Sequence, residues 1–182
     1  AGGGEHSYDM CLETDPAGNF YLFKTGDDHT PTGGSLLRIS KDGQKMELFS
    51  TGFRHPLGMG MSPTGQVSGA DQEGNWMPST RLDLYKQGGF YGDMRTHHRA
   101  TPPTEPDPAY LWFPKEADNS AGGQAWLPAG KFGPLETVGL VRPGAQNLQR
   151  TNPQSVGLLL GQTAQVIHDF AGSDESWSGV GA

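Results

Sequence analysis

One six-residue pattern occurs twice in the chain, first as Asp15-Pro16-Ala17-Gly18-Asn19-Phe20 and again, 47 residues later, as Ser62-Pro63-Thr64-Gly65-Gln66-Val67. Each copy begins with a polar residue, which is followed by Pro and, two residues later, by Gly. Pro presets a negative φ and Gly supplies a positive φ, so each copy predicts a tight turn. An apolar run follows each turn, which indicates that a strand leaves it.

Alternating apolar residues around these turns predict short antiparallel strands. The sequence Lys41-Asp42-Gly43-Gln44 separates two such runs, Leu37–Ser40 and Lys45–Phe49. An Asp-Gly pair between alternating runs is the strongest short-range signal of a β-hairpin. In this hairpin Leu37 and Ile39 share one strand face, as do Met46 and Leu48. Further strands are predicted at Asn19–Phe23, Leu57–Met61, Gln66–Ala70 and Arg81–Tyr85.

The 47-residue period is typical of the blades of a β-propeller, in which each repeat contributes about four strands. A weaker third copy, Leu127–Phe132, follows a Pro-rich insertion at Thr101–Pro108. We therefore predict an all-β chain in which residues 1–137 form a partial β-propeller of about three four-stranded antiparallel blades. Residues 138–182 are predicted to be an irregular C-terminal tail: a divergent blade, a linker, or sequence that does not pack on the rest.

The composition excludes several classes of protein. Among 182 residues, 28 Gly and 14 Pro argue against a helical bundle, whereas 4 Trp, 5 Tyr and 8 Phe argue against disorder. A formal net charge of −7 speaks against nucleic-acid binding. No apolar run is long enough to predict a membrane span. Since the chain begins at Ala1 without a Met, we expect a fragment or a processed form.

Three polar segments adjoin predicted turns and are candidates for function. They are Glu5–Asp9, which contains His6, the pair Arg54-His55, and Asp71–Asn75. Histidine suits a general base because its pKa is close to neutral, and arginine suits a carboxylate because its fork binds two oxygens. Structural roles are equally open at this point: Arg54 can anchor a turn by bonding carbonyls, and Asp71 can be a solvated turn residue.

The same segments resemble motifs of the soluble quinoprotein sugar dehydrogenases, the glucose/sorbosone dehydrogenase family. Gly52-Phe53-Arg54-His55-Pro56-Leu57-Gly58 is similar to the family's G-x-R-N-P-x-G segment. Asp71–Asn75, Leu82–Leu84 and Gly88–Gly92 are similar to its E-x-G-P, D-E-L-N and G-x-N-Y-G motifs, in the same order. His6 precedes the first turn as the family's catalytic His precedes a P-D-G-K turn. The resemblance covers the first three quarters of the chain and extends to the propeller part of large bacterial proteins described as membrane-bound dehydrogenases.

This resemblance implies a six-bladed β-propeller that binds pyrroloquinoline quinone and calcium. It implies that His6 takes the proton from the anomeric hydroxyl of a sugar as hydride leaves for the quinone. Arg54 would polarise the quinone oxygens or hold a carboxylate. His55 and Asp28 stand where the family has an Asn and a cofactor-binding Gln, so both are further candidates for binding the cofactor.

The resemblance also implies a calcium site, and it shows which quinone-binding residues of the family this chain lacks. Gly74 and Asn75 would offer backbone carbonyls to the ion, with Asp71 as a third metal candidate. The family's later blades supply basic residues for the three carboxylates of the quinone, and residues 138–182 contain no counterpart to them. We therefore expect weak or absent activity from this chain alone.

The sequence thus predicts a fragment of a quinone-dependent sugar or alcohol dehydrogenase, and the alternative is a non-catalytic propeller segment that binds carbohydrate or protein. The expected partner is a small sugar or alcohol. The resemblance implies a periplasmic or extracellular location and, in a parent protein, a c-type haem domain. Three blades leave sheet faces uncovered, so self-association is expected. If the function carries over, His6, Arg54 and the Gly74 and Asn75 carbonyls converge at one end of the propeller.

Overall fold

The computed structural model describes residues 8–26, 30–115, 122–127 and 138–141. Within these ranges the chain forms three β-sheets and no α-helix, and its helical structure is confined to the short 3-10 helix Met94–Thr96. The prediction of an all-β chain is therefore confirmed. The strands in chain order are β1 (Asp9–Thr14), β2 (Phe20–Lys24), β3 (Ser35–Ile39), β4 (Met46–Thr51), β5 (Pro56–Met61), β6 (Val67–Asp71), β7 (Arg81–Tyr85), β8 (Gly89–Phe90), β9 (Leu111–Trp112), β10 (Gln124–Leu127) and β11 (Val138–Val141).

The first sheet contains five strands in the order β1-β2-β3-β4-β8, and the second contains four in the order β5-β6-β7-β9. All neighbouring strands pair antiparallel except β4 and β8, which are parallel. β10 and β11 form a separate antiparallel pair. Because β11 begins at Val138, this pairing joins the first four residues of the predicted tail to the strand before it.

The two copies of the six-residue pattern form the same turn. In the first copy the N–H of Asp15 donates to the carbonyl of Asn19 at 2.9 Å, and the N–H of Gly18 donates to the carbonyl of Asp15 at 2.9 Å. The second copy, Ser62–Gln66, contains both equivalent bonds, at 2.9 and 3.0 Å. The predicted turns are therefore confirmed, whereas the third copy at Leu127–Phe132 lies mainly outside the described residues.

Glycine is required at the fourth position of both turns. Gly18 and Gly65 each have a φ of +89°, in the left-handed region that side chains with a Cβ disfavour. The predicted hairpin between β3 and β4 is also present. In it Leu37 pairs with Leu48 and Ile39 pairs with Met46, so these four apolar residues share one face of the first sheet.

An aromatic cluster fills the space between the first and second sheets. Phe23 of β2 and Tyr85 of β7 meet edge to face, with 5.5 Å between their ring centroids. Phe53, which connects β4 to β5, lies 5.3 Å from Phe23 and stacks on Tyr91 at 5.4 Å. Such aromatic pairs add about 0.5–1.5 kcal/mol each to the free energy of burial. The segment that crosses between the sheets is therefore part of their common core.

The opposite face of the first sheet is apolar and exposed. Its large side chains include Leu12 (62 % exposed), Phe20 (36 %), Met46 (58 %) and Leu48 (37 %). The residues 47 positions after Leu12 and Phe20 are Met59 and Val67, which are only 4 % and 1 % exposed. Both belong to the cluster that packs against the first sheet. The same strand positions are therefore covered in the second sheet and uncovered in the first.

The leading strands of the three sheets lie side by side, since β1 contacts β5 and β5 contacts β10. Side chains of the second sheet also reach β10. The hydroxyl of Ser68 donates to Oε1 of Gln124 at 2.7 Å and accepts from Nε1 of Trp126 at 3.1 Å. The second sheet is thus contacted on one face by the first sheet and on the other by β10.

Candidate functional site

The two ends of the sheets are built from different kinds of connection. One end, which we name the turn end, carries the tight turns Asp15–Asn19, Ser40–Lys45 and Ser62–Gln66. Antiparallel pairing places the longer connections, residues 25–34, 52–55 and 72–80, at the other end, which we name the loop end. Backbone hydrogen bonds join these connections, from Gly26 N–H to the Arg54 carbonyl at 2.7 Å and from Phe53 N–H to the Gly34 carbonyl at 3.1 Å.

Asp71 holds the connection between the two sheets from inside the protein. It is fully buried at the end of β6. Its Oδ2 accepts from the backbone N–H of Arg54 at 2.8 Å, and its Oδ1 accepts from the backbone N–H of His55 at 2.7 Å. Burial raises the pKa of Asp71 from 3.8 to about 7, although the two N–H donors oppose this effect. Asp71 is therefore a buried clamp and not a solvated turn residue.

Arg54 is half-buried and fixed by its neighbours. Besides its backbone contacts to Asp71 and Gly26, its Nη1 donates to the carbonyl of Glu73 at 2.8 Å. The guanidinium lies against the α-carbon of Gly74, where a Cβ would collide with it. Among the described residues no carboxylate is ion-paired with Arg54, and none accepts from its Nε or Nη2. Arg54 thus anchors a turn, as one interpretation of the sequence expected, and keeps donors for a further oxygen ligand.

The carboxylate of Glu73 does not compete for these donors. Its Oε2 accepts from the hydroxyl of Thr80 at 2.8 Å, which ties the two ends of the connection 72–80 together. Only the backbone carbonyl of Glu73 is hydrogen-bonded to Arg54.

A tight turn next to Arg54 presents an exposed tryptophan. The N–H of Gly74 donates to the carbonyl of Met77 at 3.0 Å, and the N–H of Met77 donates back at 3.1 Å. Met77 is 3 % exposed and anchors the turn in the core, whereas Trp76 is 61 % exposed. Trp76 has a φ of +71°, which costs a residue with a side chain about 1–2 kcal/mol. A large aromatic ring is thus exposed at a strained backbone position.

Behind this surface lies a buried ion pair. Arg81 and Asp83, both 1 % exposed, are joined by two hydrogen bonds, from Nε to Oδ2 at 2.6 Å and from Nη2 to Oδ1 at 2.7 Å. Arg81 also donates to the carbonyls of Tyr91 and Asp107, at 2.9 and 2.8 Å. Burial would lower the pKa of Arg81, but the bonds and charge of Asp83 outweigh it and raise that pKa. The pair therefore fixes the start of β7 and the chain that crosses over it.

The structure places the described members of the predicted site at the loop end. These residues are Arg54, His55, Asp71, Gly74 and Asn75. Arg54 is in direct contact with Asp71 and Gly74, and Asn75 is exposed in the same turn as Trp76. His6 and Asp28 lie outside the described residues, so their place in the site stays a prediction.

The described side chains do not supply the donor set that calcium requires. Calcium takes six to eight oxygen ligands, many of them carboxylates. Both oxygens of Asp71 already accept backbone N–H groups in the interior, and the carbonyl of Gly74 accepts from Met77. In the ranges that the structure covers, no three His, Cys, Asp or Glu residues are grouped as metal ligands. Asp71 is therefore engaged by backbone N–H groups in the interior, and calcium binding by the Gly74 and Asn75 carbonyls stays a prediction.

A second polar surface lies at the turn end. An open groove of about 200 Å³ is lined by Asn19, Arg38, Ser40, Lys45 and Glu47. Its arginine is already paired, since Nη1 of Arg38 lies 3.3 Å from Oε1 of Glu47. None of the predicted site residues that the structure describes lines this groove.

Sequence reasoning missed the buried pair behind the site. Arg81 and Asp83 alternate with Leu82 and Leu84, a pattern that ordinarily places the charged residues in solvent. In the structure both faces of β7 are covered, so the charged face is buried as well. The signal that was present is the i, i+2 spacing of opposite charges, which puts both side chains on one strand face.

Comparison of the chain with models of protein families, with curated proteins and with solved structures gave no match. The likeness to quinoprotein sugar dehydrogenases therefore rests on sequence motifs alone, chiefly Gly52–Gly58 and Asp71–Asn75. In the part of the chain that the structure describes, no helix has the length and apolar character needed to cross a bilayer.

Proposed function

We propose that the chain is part of a β-propeller related to the quinone-dependent sugar and alcohol dehydrogenases, with its ligand site at the loop end. The first and second sheets each contain four antiparallel strands in chain order, with β8 added at the edge of the first. Their leading strands lie next to each other and next to β10. This is the order that successive blades have around a propeller axis.

The exposed face of the first sheet supports the same proposal. In a propeller each sheet packs on the next, and here Met59 and Val67 of the second sheet pack against the first. The equivalent residues Leu12 and Phe20 have the same apolar character but remain exposed. A preceding sheet of the same kind would cover them, as the first sheet covers the second.

The observation that carries the functional proposal is the state of Arg54. Asp71 holds the backbone of Arg54, and the Glu73 carbonyl and the α-carbon of Gly74 position its half-buried guanidinium. The Nε and Nη2 of this guanidinium have no acceptor among the described residues. A positioned guanidinium with free donors binds carboxylate or quinone oxygens without losing side-chain entropy. Arg54 thus binds the acidic or carbonyl oxygens of the cofactor or the substrate.

Titration of the chain with pyrroloquinoline quinone, with and without calcium, tests this proposal. Wild type is expected to bind the quinone, and Arg54→Ala is expected to bind it about 10- to 100-fold more weakly, as for loss of charge-assisted hydrogen bonds. Arg38→Ala is the matched control, because Arg38 lies at the turn end and is paired with Glu47. Absence of quinone binding by wild type, or equal binding by Arg54→Ala, contradicts the proposal.

Dye-linked oxidation of an aldose by the quinone-loaded chain separates the two functional classes. Oxidation that requires the added quinone supports a dehydrogenase. Binding of a carbohydrate without any oxidation supports the alternative, a non-catalytic propeller segment. Thermal melting of Arg54→Ala serves as the folding control, since the backbone contacts of Arg54 do not depend on its side chain.

A further inference from the structure

We propose that Trp76 and Arg54 together form a subsite for a sugar ring that carries a carboxylate, such as a uronic acid. The inference rests on the proposed ligand-binding role of Arg54 and names the substrate class for the same end of the sheets. It is carried by the exposure of Trp76 at a strained backbone position, which no part of the quinone resemblance requires.

The backbone that carries Trp76 is fixed in a closed turn. The reciprocal hydrogen bonds between Gly74 and Met77 close its turn, and the buried Met77 fixes the turn to the core. The φ of +71° is one that glycine would adopt without strain. A tryptophan at this position is thus maintained at a cost to stability, and strain of this kind is found at binding sites.

The ring of Trp76 is free to receive a ligand. With 61 % of the residue exposed, no hydrogen bond or ring contact joins its side chain to another described residue. An indole ring is large, apolar and nearly rigid, so it binds a flat partner at little cost in conformational entropy. The C–H face of a pyranose ring is a partner of this shape.

Arg54 supplies the second half of the recognition. Its guanidinium lies against Gly74, two residues before Trp76 in the same turn. Its Nε and Nη2, which have no acceptor in the part of the chain that the structure describes, form a fork that matches a carboxylate. Two described acids nearby do not occupy it, since the oxygens of Asp71 accept backbone N–H groups and the Glu73 carboxylate accepts from Thr80. An apolar ring and a cation carried by the same connection between strands select a sugar with both an apolar face and a negative group.

The test uses the full chain without quinone or calcium, titrated with glucuronic acid and with glucose as the uncharged parent. Binding is followed by saturation-transfer NMR and calorimetry. We expect wild type to prefer the uronate by about tenfold or more, because glucose lacks the charged acceptor. Arg54→Gln is expected to remove this preference while it retains weak binding of both sugars.

Trp76→Gly is the decisive variant, because glycine suits the φ of this position. We expect it to melt at the same temperature as wild type or higher, and to bind either sugar about tenfold or more weakly. Trp112→Phe is the matched control: Trp112 is also exposed, at 41 %, but lies on β9 over Arg81. This control is expected to bind as wild type does.

Three outcomes overturn the inference. They are equal affinity of wild type for glucuronic acid and glucose, unchanged binding by Trp76→Gly, and no binding of either sugar by wild type. The sugar titration leaves out quinone and calcium, so its result does not depend on the dehydrogenase proposal. If uronate binds but the quinone-loaded chain does not oxidise it, only the dehydrogenase proposal is overturned. If neither sugar binds, while wild type and Trp76→Gly both bind the quinone, only the subsite proposal is overturned.

Discussion

The turn end and the loop end hold the same strands together in different ways. At the turn end, Asp15–Asn19 and Ser62–Gln66 close through bonds between residues at most four positions apart. At the loop end, the Asp71 carboxylate accepts from the backbone N–H groups of Arg54 and His55, which are 17 and 16 positions earlier in the chain. Arg81 donates to the carbonyl of Asp107, 26 positions later. The turn end is thus a set of local structures, whereas the loop end depends on the assembled sheets.

This difference determines how each end responds to substitution. Substitution in a local turn removes exposed or half-buried hydrogen bonds, and the sheets on either side remain. Loss of a buried clamp leaves charged or polar groups without hydrogen-bond partners in the interior, where water cannot replace the lost partners. We therefore expect large effects at the loop end and small ones at the turn end.

The largest expected effect is the loss of Arg81. Arg81→Met leaves Asp83 buried without its partner, which destabilises proteins by about 3–5 kcal/mol. Arg38→Met, the matched change at an exposed pair with Glu47, is expected to cost about 0–1 kcal/mol. Urea unfolding of both variants measures the difference. If the double variant with Asp83→Asn does not regain part of the loss, the cause is not the unpaired carboxylate.

The second effect concerns the clamp at Asp71. Asp71→Ala leaves the backbone N–H groups of Arg54 and His55 without acceptors, and we expect a loss of about 2–4 kcal/mol. Asp71→Asn keeps one acceptor oxygen and is expected to fall between wild type and Asp71→Ala. Hydrogen exchange of the two amides locates the effect. Unchanged protection of both amides in Asp71→Ala would show that the clamp does not hold this connection.

The third effect is a pH dependence that the turn end does not share. Asp71 titrates near 3.8 when unfolded and near 7 when folded, so the folded chain binds more protons between these values. The free energy of unfolding therefore falls as pH rises through this window, by up to about 1.4 kcal/mol per pH unit for one proton. Asp83, whose pKa burial raises to about 6, acts in the same direction.

Urea unfolding across this pH window, with wild type and Asp71→Asn compared, measures the dependence. The variant should show a shallower decline because it lacks one of the two groups. Asp15 does not contribute here: although burial opposes it, its hydrogen bonds to Asn19 lower its pKa, so its stabilisation is lost only as pH falls below 3.8. Parallel curves for the two proteins would refute the assignment to Asp71.

The smallest effects are expected in the repeated turns. Oδ1 of Asp15 accepts from the backbone of Ala17 and Asn19, whereas Oγ of Ser62 accepts from the backbone of Gln66. Asp15→Ala is therefore expected to cost about 1–2 kcal/mol and Ser62→Ala about 1 kcal/mol. Thermal melting of both variants gives the order. A larger loss in Ser62→Ala than in Asp15→Ala would contradict this order.

The sequence was informative where structure is local. The Pro and Gly of each turn set the backbone angles, and Asp42-Gly43 set the hairpin, so six strands were placed within about two residues. Strands β1, β8, β9, β10 and β11 were not predicted. β8 and β9 are two residues long and depend on pairing with distant strands, which no local pattern records.

The candidate site was predictable in part for the same reason. Arg54, His55 and Asp71–Asn75 stood out as polar residues beside turns, and the structure brings them to one end. The buried role of Asp71 could not be predicted, because it depends on the backbone N–H groups of Arg54 and His55, which only the folded connection between the two sheets places beside it. The position of Trp76 depends on its φ of +71°. The sequence does not predict this left-handed conformation, because tryptophan rarely adopts it.

The parallel strand β8 has a consequence for how molecules of this protein meet. It pairs with the outer side of β4, and the flanking N–H groups of Gly88 and Tyr91 donate to Phe49 and Thr51 at 2.6 and 2.9 Å. The backbone carbonyls of Phe49 and Thr51 on that border of the first sheet are therefore already bonded by the chain itself. A foreign strand has no template there on which to grow into an amyloid-like ribbon. The exposed surface of this sheet is instead made of apolar side chains such as Leu12 and Met46.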